Sequence, residues 1–338
     1  MVRETQQVLE EQCIRQGVVR RGNQIPIELA HRNQSISGVI ILDMTTGQLH
    51  ALQSKTVVIA DGGFQADRDL LAQHITAAPA KIRQRNTQTG QGDGLRMAME
   101  IGAATLGLDK FYGHVLSRDV MTNENLWPYP QVDVICAKGI VVTPAGSRFA
   151  DEGRGGIYMA NAIAGLDDPL TATAVFDSTV WEDAKESDIV PPNPSLVENG
   201  GTVLKADTLA ELGTLAGIDT AGLSRTVDEF NGLVRAGSAP ALEPARTTAT
   251  YPAHIVEKPP YYAIPLCAGI TVTSGGLAVD GDARVLNAGD NPIPGLYAAG
   301  SVVGGLEGGP NAGYVGGLIK AFCIGRIAGR TIAAEIGV

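Results

Sequence analysis

The chain has 338 residues, 44% apolar and 18% charged, which gives room for two domains and a sizeable core. A net charge of −10 with no stripe of lysine and arginine argues against a nucleic-acid partner. The four cysteines (Cys13, Cys136, Cys267, Cys323) lie far apart with no CxxC pair. That spacing suits neither a zinc site nor a disulfide framework, so no metal and a reducing compartment are expected. CxxCH is absent too, which excludes covalently attached c-type haem. With no apolar run of membrane-spanning length and no signal peptide, the cytoplasm is the expected location. The 42 glycines cluster at predicted strand ends, as they do where backbone approaches a ligand closely.

In chain order, Glu4 to Gln16 reads as a helix with Leu9 and Cys13 on one face and Gly17 just past its end. Gly38 to Asp43 and Leu49 to Gln53 flank Thr45-Thr46-Gly47-Gln48, a hairpin signal. Lys55 to Ala60 is a continuous apolar strand of the buried, parallel type and ends in Asp61-Gly62-Gly63-Phe64. Thr89-Gly90-Gln91-Gly92-Asp93-Gly94 then leads into a helix over Leu95 to Ile101. The alternating oxygen ligands of a calcium loop are missing there, so the choice is between a ligand loop and a plain glycine cap. A strand-like Lys110-Phe111-Tyr112 precedes Gly113-His114.

From about residue 115 to residue 250 the glycine clusters thin out while prolines and acids increase, which suggests an inserted capping domain. Two helices are expected within it. Asp207 to Leu215 has Asp207 as N-cap, and Thr220 to Ala236 has Leu223, Val227, Phe230 and Val234 on one side and Gly237 beyond its end. Strands follow at Tyr261 to Pro265 and Gly275 to Val279, and an Asp280-Gly281-Asp282 turn leads to Arg284-Val285-Leu286. Leu296 to Ala299 is a short buried strand. Beyond Gly300, Gly304-Gly305 and Gly316-Gly317, helical spacing runs from Leu318 to Ile336 through Phe322, Ile324, Ile327 and Ile332. A glycine pair opening a helix turns free N–H groups and the positive dipole end toward a ligand.

Taken in this order from Val39 to Gly329, these motifs resemble the FAD-dependent fumarate reductase/succinate dehydrogenase flavoprotein superfamily, in its tricarballylate dehydrogenase-like or ketosteroid dehydrogenase-like branches. The resemblance implies an α/β fold: a Rossmann-like FAD-binding domain, truncated at its N-terminus, with an inserted α+β capping domain. The implied segments are 1–113 (FAD-binding), 114–254 (capping, substrate) and 255–338 (return to the FAD-binding domain). It also implies FAD contacts at Ala60, Gly62, Gly63, Asp93, Gly300, Ser301, Gly316, Gly317, Leu318 and Ile319, with Asp61 where threonine is usual. Family members begin with a βαβ unit carrying GxGxxG, and this chain has no GxGxxG. A fragment, a processed product or a chain completed by a partner is therefore expected, and a homo-oligomer stays open.

Three segments carry the implied chemistry. Gly146-Ser147-Arg148-Phe149-Ala150-Asp151-Glu152 is similar to the family's Gly-x-Arg-Phe-x-(Asn/Asp)-Glu signature, with Arg148 and Glu152 expected to form a structural ion pair. The fumarate reductases' proton-donor arginine, four places after that glutamate, corresponds to Gly156, which leaves Arg154 and Tyr158 as candidates. Thr271 and Val272 stand where histidines clamp a carboxylate. Tyr314-Val315-Gly316-Gly317 is similar to the ketosteroid dehydrogenases' Tyr-x-Gly-Gly, where a phenol and a helix N–H polarise a ketone. The alternative for Tyr314 is to cover the flavin edge without chemistry, and for His114 to be structural rather than to bind substrate. The implied activity is FAD-dependent dehydrogenation, or the reverse enone or enoate reduction, next to a carbonyl or carboxylate of a small molecule. The alternative is a noncatalytic or truncated subunit that needs a partner chain.

Overall fold

The computed structural model describes residues 2–33, 35–186 and 189–337. Helix α1 (Val2–Arg15) ends as expected before Gly17, whose φ is 87°. Leu9 and Cys13 lie open to solvent. Strands β1 (Gln24–Arg32), β2 (Ser35–Asp43) and β3 (Leu49–Gln53) form an antiparallel meander. The β2–β3 turn is the expected hairpin: Asp43 Oδ1 accepts from the N–H groups of Thr45 and Thr46, and Gly47 takes a φ of 70°. Strand β4 (Val57–Ile59) is shorter than the Lys55 to Ala60 run and is not enclosed, since Val58 is 43% exposed.

Helix α2 (Arg68–His74) is capped by Asp67 Oδ1, which accepts from Asp69 and Leu70 N–H at 2.8 Å. Then come β5 (Arg83–Gln84), α3 (Asp93–Glu100), β6 (Thr105–Leu106) and β7 (Phe111–Ser117). Next are α4 (Asp133–Lys138), β8 (Ile140–Val142), α5 (Gly156–Ala164) and β9 (Thr173–Asp177). The region closes with α6 (Ser178–Asp183), α7 (Pro192–Glu198), β10 (Leu204–Ala206), α8 (Leu209–Ala216) and α9 (Thr220–Arg235). The cap of α8 is Thr208 rather than Asp207, because Thr208 Oγ1 sits three residues ahead of the Glu211 N–H it accepts from at 3.2 Å. Helix α9 buries Leu223, Val227 and Phe230 against Ile140, Val142 and Val175 of β8 and β9.

Strand β11 (Tyr261–Thr273) joins the two halves of the molecule. Its first part pairs with β9 and β10, and its second part pairs antiparallel with β7 and parallel with β5. The strand expected over Tyr261 to Pro265 continues to Thr273, with Leu266 through Ile270 buried, so no alternation marks its second part. Three short strands complete the sheets: β12 (Gly276–Leu277) on β6, β13 (Arg284–Leu286), and β14 (Pro292–Ala298) between β13 and β4. The last helix, α10 (Gly317–Ile336), buries Lys320, Ile324 and Ala328. Of the expected periodic face, Ile324 is buried and Ile332 packs half-buried against the core, while Leu318, Phe322, Ile327 and Ile336, with Ile319, are exposed. No described helix is long and apolar enough to cross a membrane.

Candidate active site

The site starts at the ends of two parallel strands. Leu296, Tyr297 and Ala298 of β14 pair with Val57, Val58 and Ile59 of β4, and Ala299 N–H donates to Ile59 O at 2.9 Å. Both strands therefore run out at the same place, and Ala60-Asp61-Gly62 lies beside Gly300-Ser301. In open α/β sheets this carboxyl end is where ligands bind. Gly62 has a φ of 93° and nothing within 4 Å of where a Cβ would stand, so glycine here serves the backbone turn beside open space. Asp61 Oδ2 accepts from Gly94 N–H at 2.7 Å, which ties this turn to the start of α3 beside Asp93. Burial pushes the Asp61 carboxyl above its usual range. Gly63 and Gly90 enclose the Gln65 amide, and a Cβ at either would overlap it or crowd it. Gln65 Oε1 is buried without a hydrogen-bond partner, an acceptor that a ligand N–H would satisfy.

The start of α10 closes this cradle. Gly316 has a φ of 109°, and the N–H of Gly317 donates to Tyr314 Oη at 2.7 Å. Beneath it lies a fully enclosed ion pair, Lys320 Nζ to Glu307 Oε2 at 3.0 Å, and Glu307 Oε1 accepts from Val315 N–H. The two side chains are 0% and 2% exposed, so removing one charge strands the other. Lys320→Met is expected to cost about 3–5 kcal/mol in denaturant unfolding. A cost under about 1 kcal/mol would show that water reaches Glu307.

A second set of side chains comes from β7. Strand periodicity puts Tyr112 and His114 on one face while Phe111, Gly113 and Val115 are buried on the other. Tyr112 Oη lies 3.1 Å from His114 Nε2, and His114 Nδ1 lies 2.5 Å from Asp133 Oδ2. Asp133 opens α4 and is held by Val115 N–H, which donates to its Oδ1 at 2.7 Å. A carboxylate on Nδ1 places the ring proton there and leaves Nε2 to accept from the Tyr112 hydroxyl. Tyr314 stacks on Tyr112 with ring centroids 3.7 Å apart and planes 15° apart. Burial, reinforced by Tyr314, pushes the Tyr112 phenol above its usual value. Gly156 stands where fumarate reductases place an arginine, and a Cβ there would overlap the Asp133 carboxyl group. Asp133 therefore fills the space that a side chain at this position would need.

Residues 2–314 match the family model described as an FAD binding domain. The chain belongs to the FAD-dependent fumarate reductase/succinate dehydrogenase flavoprotein superfamily. It is 30% identical over 327 residues to the probable fumarate reductase Ifc3 of Shewanella frigidimarina (strain NCIMB 400), covering 94% of this chain and 51% of that one. To the 4-oxocyclohexanecarboxylate 2-dehydrogenase of Sinomonas cyclohexanicum it is 30% identical over 307 residues, covering 83% and 52%. The open conformation of a flavocytochrome c3 fumarate reductase superposes with a TM-score of 0.61 at 28% identity, covering 96% and 54%. The flavoprotein thus spans about half the length of the curated relatives it matches. FAD is the cofactor of this family, and the glycine cradle with its unsatisfied Gln65 acceptor fits it.

The flavoprotein brings together only some of the residues singled out in its sequence. Tyr314 and His114 are joined through Tyr112. Arg154 and Tyr158 form a pair of their own: the guanidinium lies 5.0 Å over the ring, and Arg154 Nη1 donates to Pro310 O at 3.2 Å. That pair braces the segment leading to Tyr314. Arg148 and Glu152 are a buried ion pair, as expected, with Arg148 Nη1 also donating to Pro244 O. Ala60, Asp93, Leu318 and Ile319 are exposed along the cradle. Sequence reasoning reached the Phe111-Tyr112-Gly113-His114 segment but took only His114 from it as a site residue, and it missed Asp133, Gln65 and Arg85. Among the described residues no group of three His, Cys, Asp or Glu side chains could hold a metal.

Proposed function

We propose that this flavoprotein oxidises a CH–CH bond next to a carbonyl, or reduces the matching enone or enoate, with Tyr314 polarising the carbonyl oxygen. The observation that carries this is the Tyr314 hydroxyl, which accepts from Gly317 N–H and keeps its own proton to donate. Bound FAD would take up or deliver the hydride. Ala60, Gly62, Gly63, Asp93, Gly300, Ser301, Gly316, Gly317, Leu318 and Ile319 would hold it. The proton belongs to Tyr112, which can pass its own to His114 Nε2 as its oxygen takes one from the substrate, with Asp133 balancing the imidazolium. The division into segments 1–113, 114–254 and 255–338, with the middle one covering the substrate, fits this arrangement. The relatives include both a probable fumarate reductase and a dehydrogenase of a cyclic keto acid. The exposed free thiols Cys13 and Cys323 support a reducing, cytoplasmic setting.

A second reading rests on the exposed apolar residues of α10 and on the outer edge of β4, which no strand pairs among the described residues. A partner chain could supply a dinucleotide-binding unit there, and this chain would then be inert alone. The absorption spectrum of the purified chain with added FAD separates the two. A yellow protein whose flavin bleaches anaerobically with a saturated ketone, or whose reduced flavin is reoxidised by an enone, supports the enzyme. A colourless chain after desalting supports the dependent subunit.

A further inference from the structure

Arg85 follows β5 directly, and its guanidinium lies near Tyr112, Tyr129 and Asp133. Its main-chain N–H donates to Ile270 O at 2.7 Å, and a Cβ at Gly269 would stand 2.6 Å from Arg85 Cδ, so Gly269 makes room for the stem. Of the five donors of a guanidinium, two are used: Nη1 donates to Thr271 Oγ1 at 3.0 Å and Nη2 to Pro128 O at 3.3 Å. Nε is buried with no partner. The Tyr129 ring lies 6.0 Å away. Among the described residues no carboxylate forms a salt bridge with Arg85. The nearby Asp133 is already engaged by His114 and Val115 N–H. Burial lowers the guanidinium's pKa, and the nearby Tyr129, Asp133 and Tyr112 offset this only in part.

We propose that Arg85 is the substrate-recognising cation of this site and that the substrate carries a carboxylate as well as the carbonyl or double bond that reacts. This rests on the proposed CH–CH redox reading and adds the substrate class to it. Thr271 stands where the resemblance implied carboxylate-binding histidines, and the cation missing from that segment arrives from β5, hydrogen-bonded to Thr271 itself. A planar guanidinium with donors to spare takes a carboxylate through two parallel bonds, which fixes the orientation of the substrate as well as its charge. Held there, an oxo acid would present its carbonyl to the tyrosines while its acid group replaces the missing counter-ion.

The test uses the purified chain with FAD and two probes, 4-oxocyclohexanecarboxylate and its methyl ester, in titration calorimetry and anaerobic flavin bleaching. Binding of the acid is expected to be at least about tenfold tighter than binding of the ester. Arg85→Met should abolish that preference while leaving the affinity for the ester within about twofold, and Arg85→Lys should restore part of it. Unchanged FAD content and melting temperature in Arg85→Lys keep the comparison valid if Arg85→Met is poorly folded. An acid that binds no better than its ester, or a preference that survives both substitutions, overturns the proposal. Selective binding of the acid without any bleaching would defeat the redox reading and leave Arg85 in its role. Bleaching by the ester as readily as by the acid would do the opposite.

Discussion

Tyr314→Phe is expected to lower turnover by about 10²–10³-fold while changing FAD content little, because it deletes one preorganised donor and leaves the cradle standing. The phenol oxygen of Tyr314 sits on the Gly317 N–H at the start of α10. That bond draws electron density from the oxygen and makes its proton a better donor to a carbonyl that becomes enolate-like. The ring remains after substitution and keeps its stack on Tyr112 at 3.7 Å, so substrate space and flavin coverage are preserved. Single-turnover flavin reduction by a saturated ketone, read beside the flavin-to-protein absorbance ratio, separates the two quantities. Equal losses in both would mean that Tyr314 serves only to shape the cradle, and no loss in either would remove it from the chemistry.

The fold was legible in the sequence where local chemistry dictates backbone shape. The Asp43 and Gly47 turn fixes its hairpin, and the 3.6-residue spacing of Leu223, Val227 and Phe230 fixes α9, whatever packs against them. Strand β1 was missed because Pro26 interrupts its pattern and most of its side chains are exposed, so no alternation survives. The far half of β11 was missed for the opposite reason, since burial on both faces erases the period-two signal. Helix α10 was found with its boundaries, but periodicity shows only that a face is apolar and not that anything covers it. The site divides in the same way. Tyr314 and the glycine pair were readable as a motif because they are adjacent in sequence, on one loop and helix start. Asp133 lies 19 residues from His114 and meets it only because β7 and the start of α4 come together. Arg85 reaches Thr271 across 186 residues, a proximity that no local pattern encodes.

Asp133→Asn carries the second large effect, at least about 10²-fold on the proton-transfer step. Burial keeps the Tyr112 phenol protonated near neutral pH, so it is not a standing phenolate base. It can accept a proton from a substrate carbon only by giving up its own, and the atom placed to receive that proton is His114 Nε2 at 3.1 Å. For Nε2 to be free, the ring proton must be on Nδ1, where the Asp133 carboxylate holds it. An asparagine keeps the shape and, through its carbonyl oxygen, the bond from Val115 N–H. Its amide NH₂ then faces Nδ1 and favours the wrong tautomer, and no negative charge remains to balance an imidazolium. The expected signature is a slower exchange of substrate α-protons in deuterium oxide, followed by nuclear magnetic resonance, and a larger solvent isotope effect on flavin reduction. Tyr112→Phe should show the same exchange defect, and the double variant should be no worse than the slower single one, because both interrupt one route. Losses that multiply in the double variant would instead place Asp133 outside that route, as a structural brace for the start of α5 at Gly156.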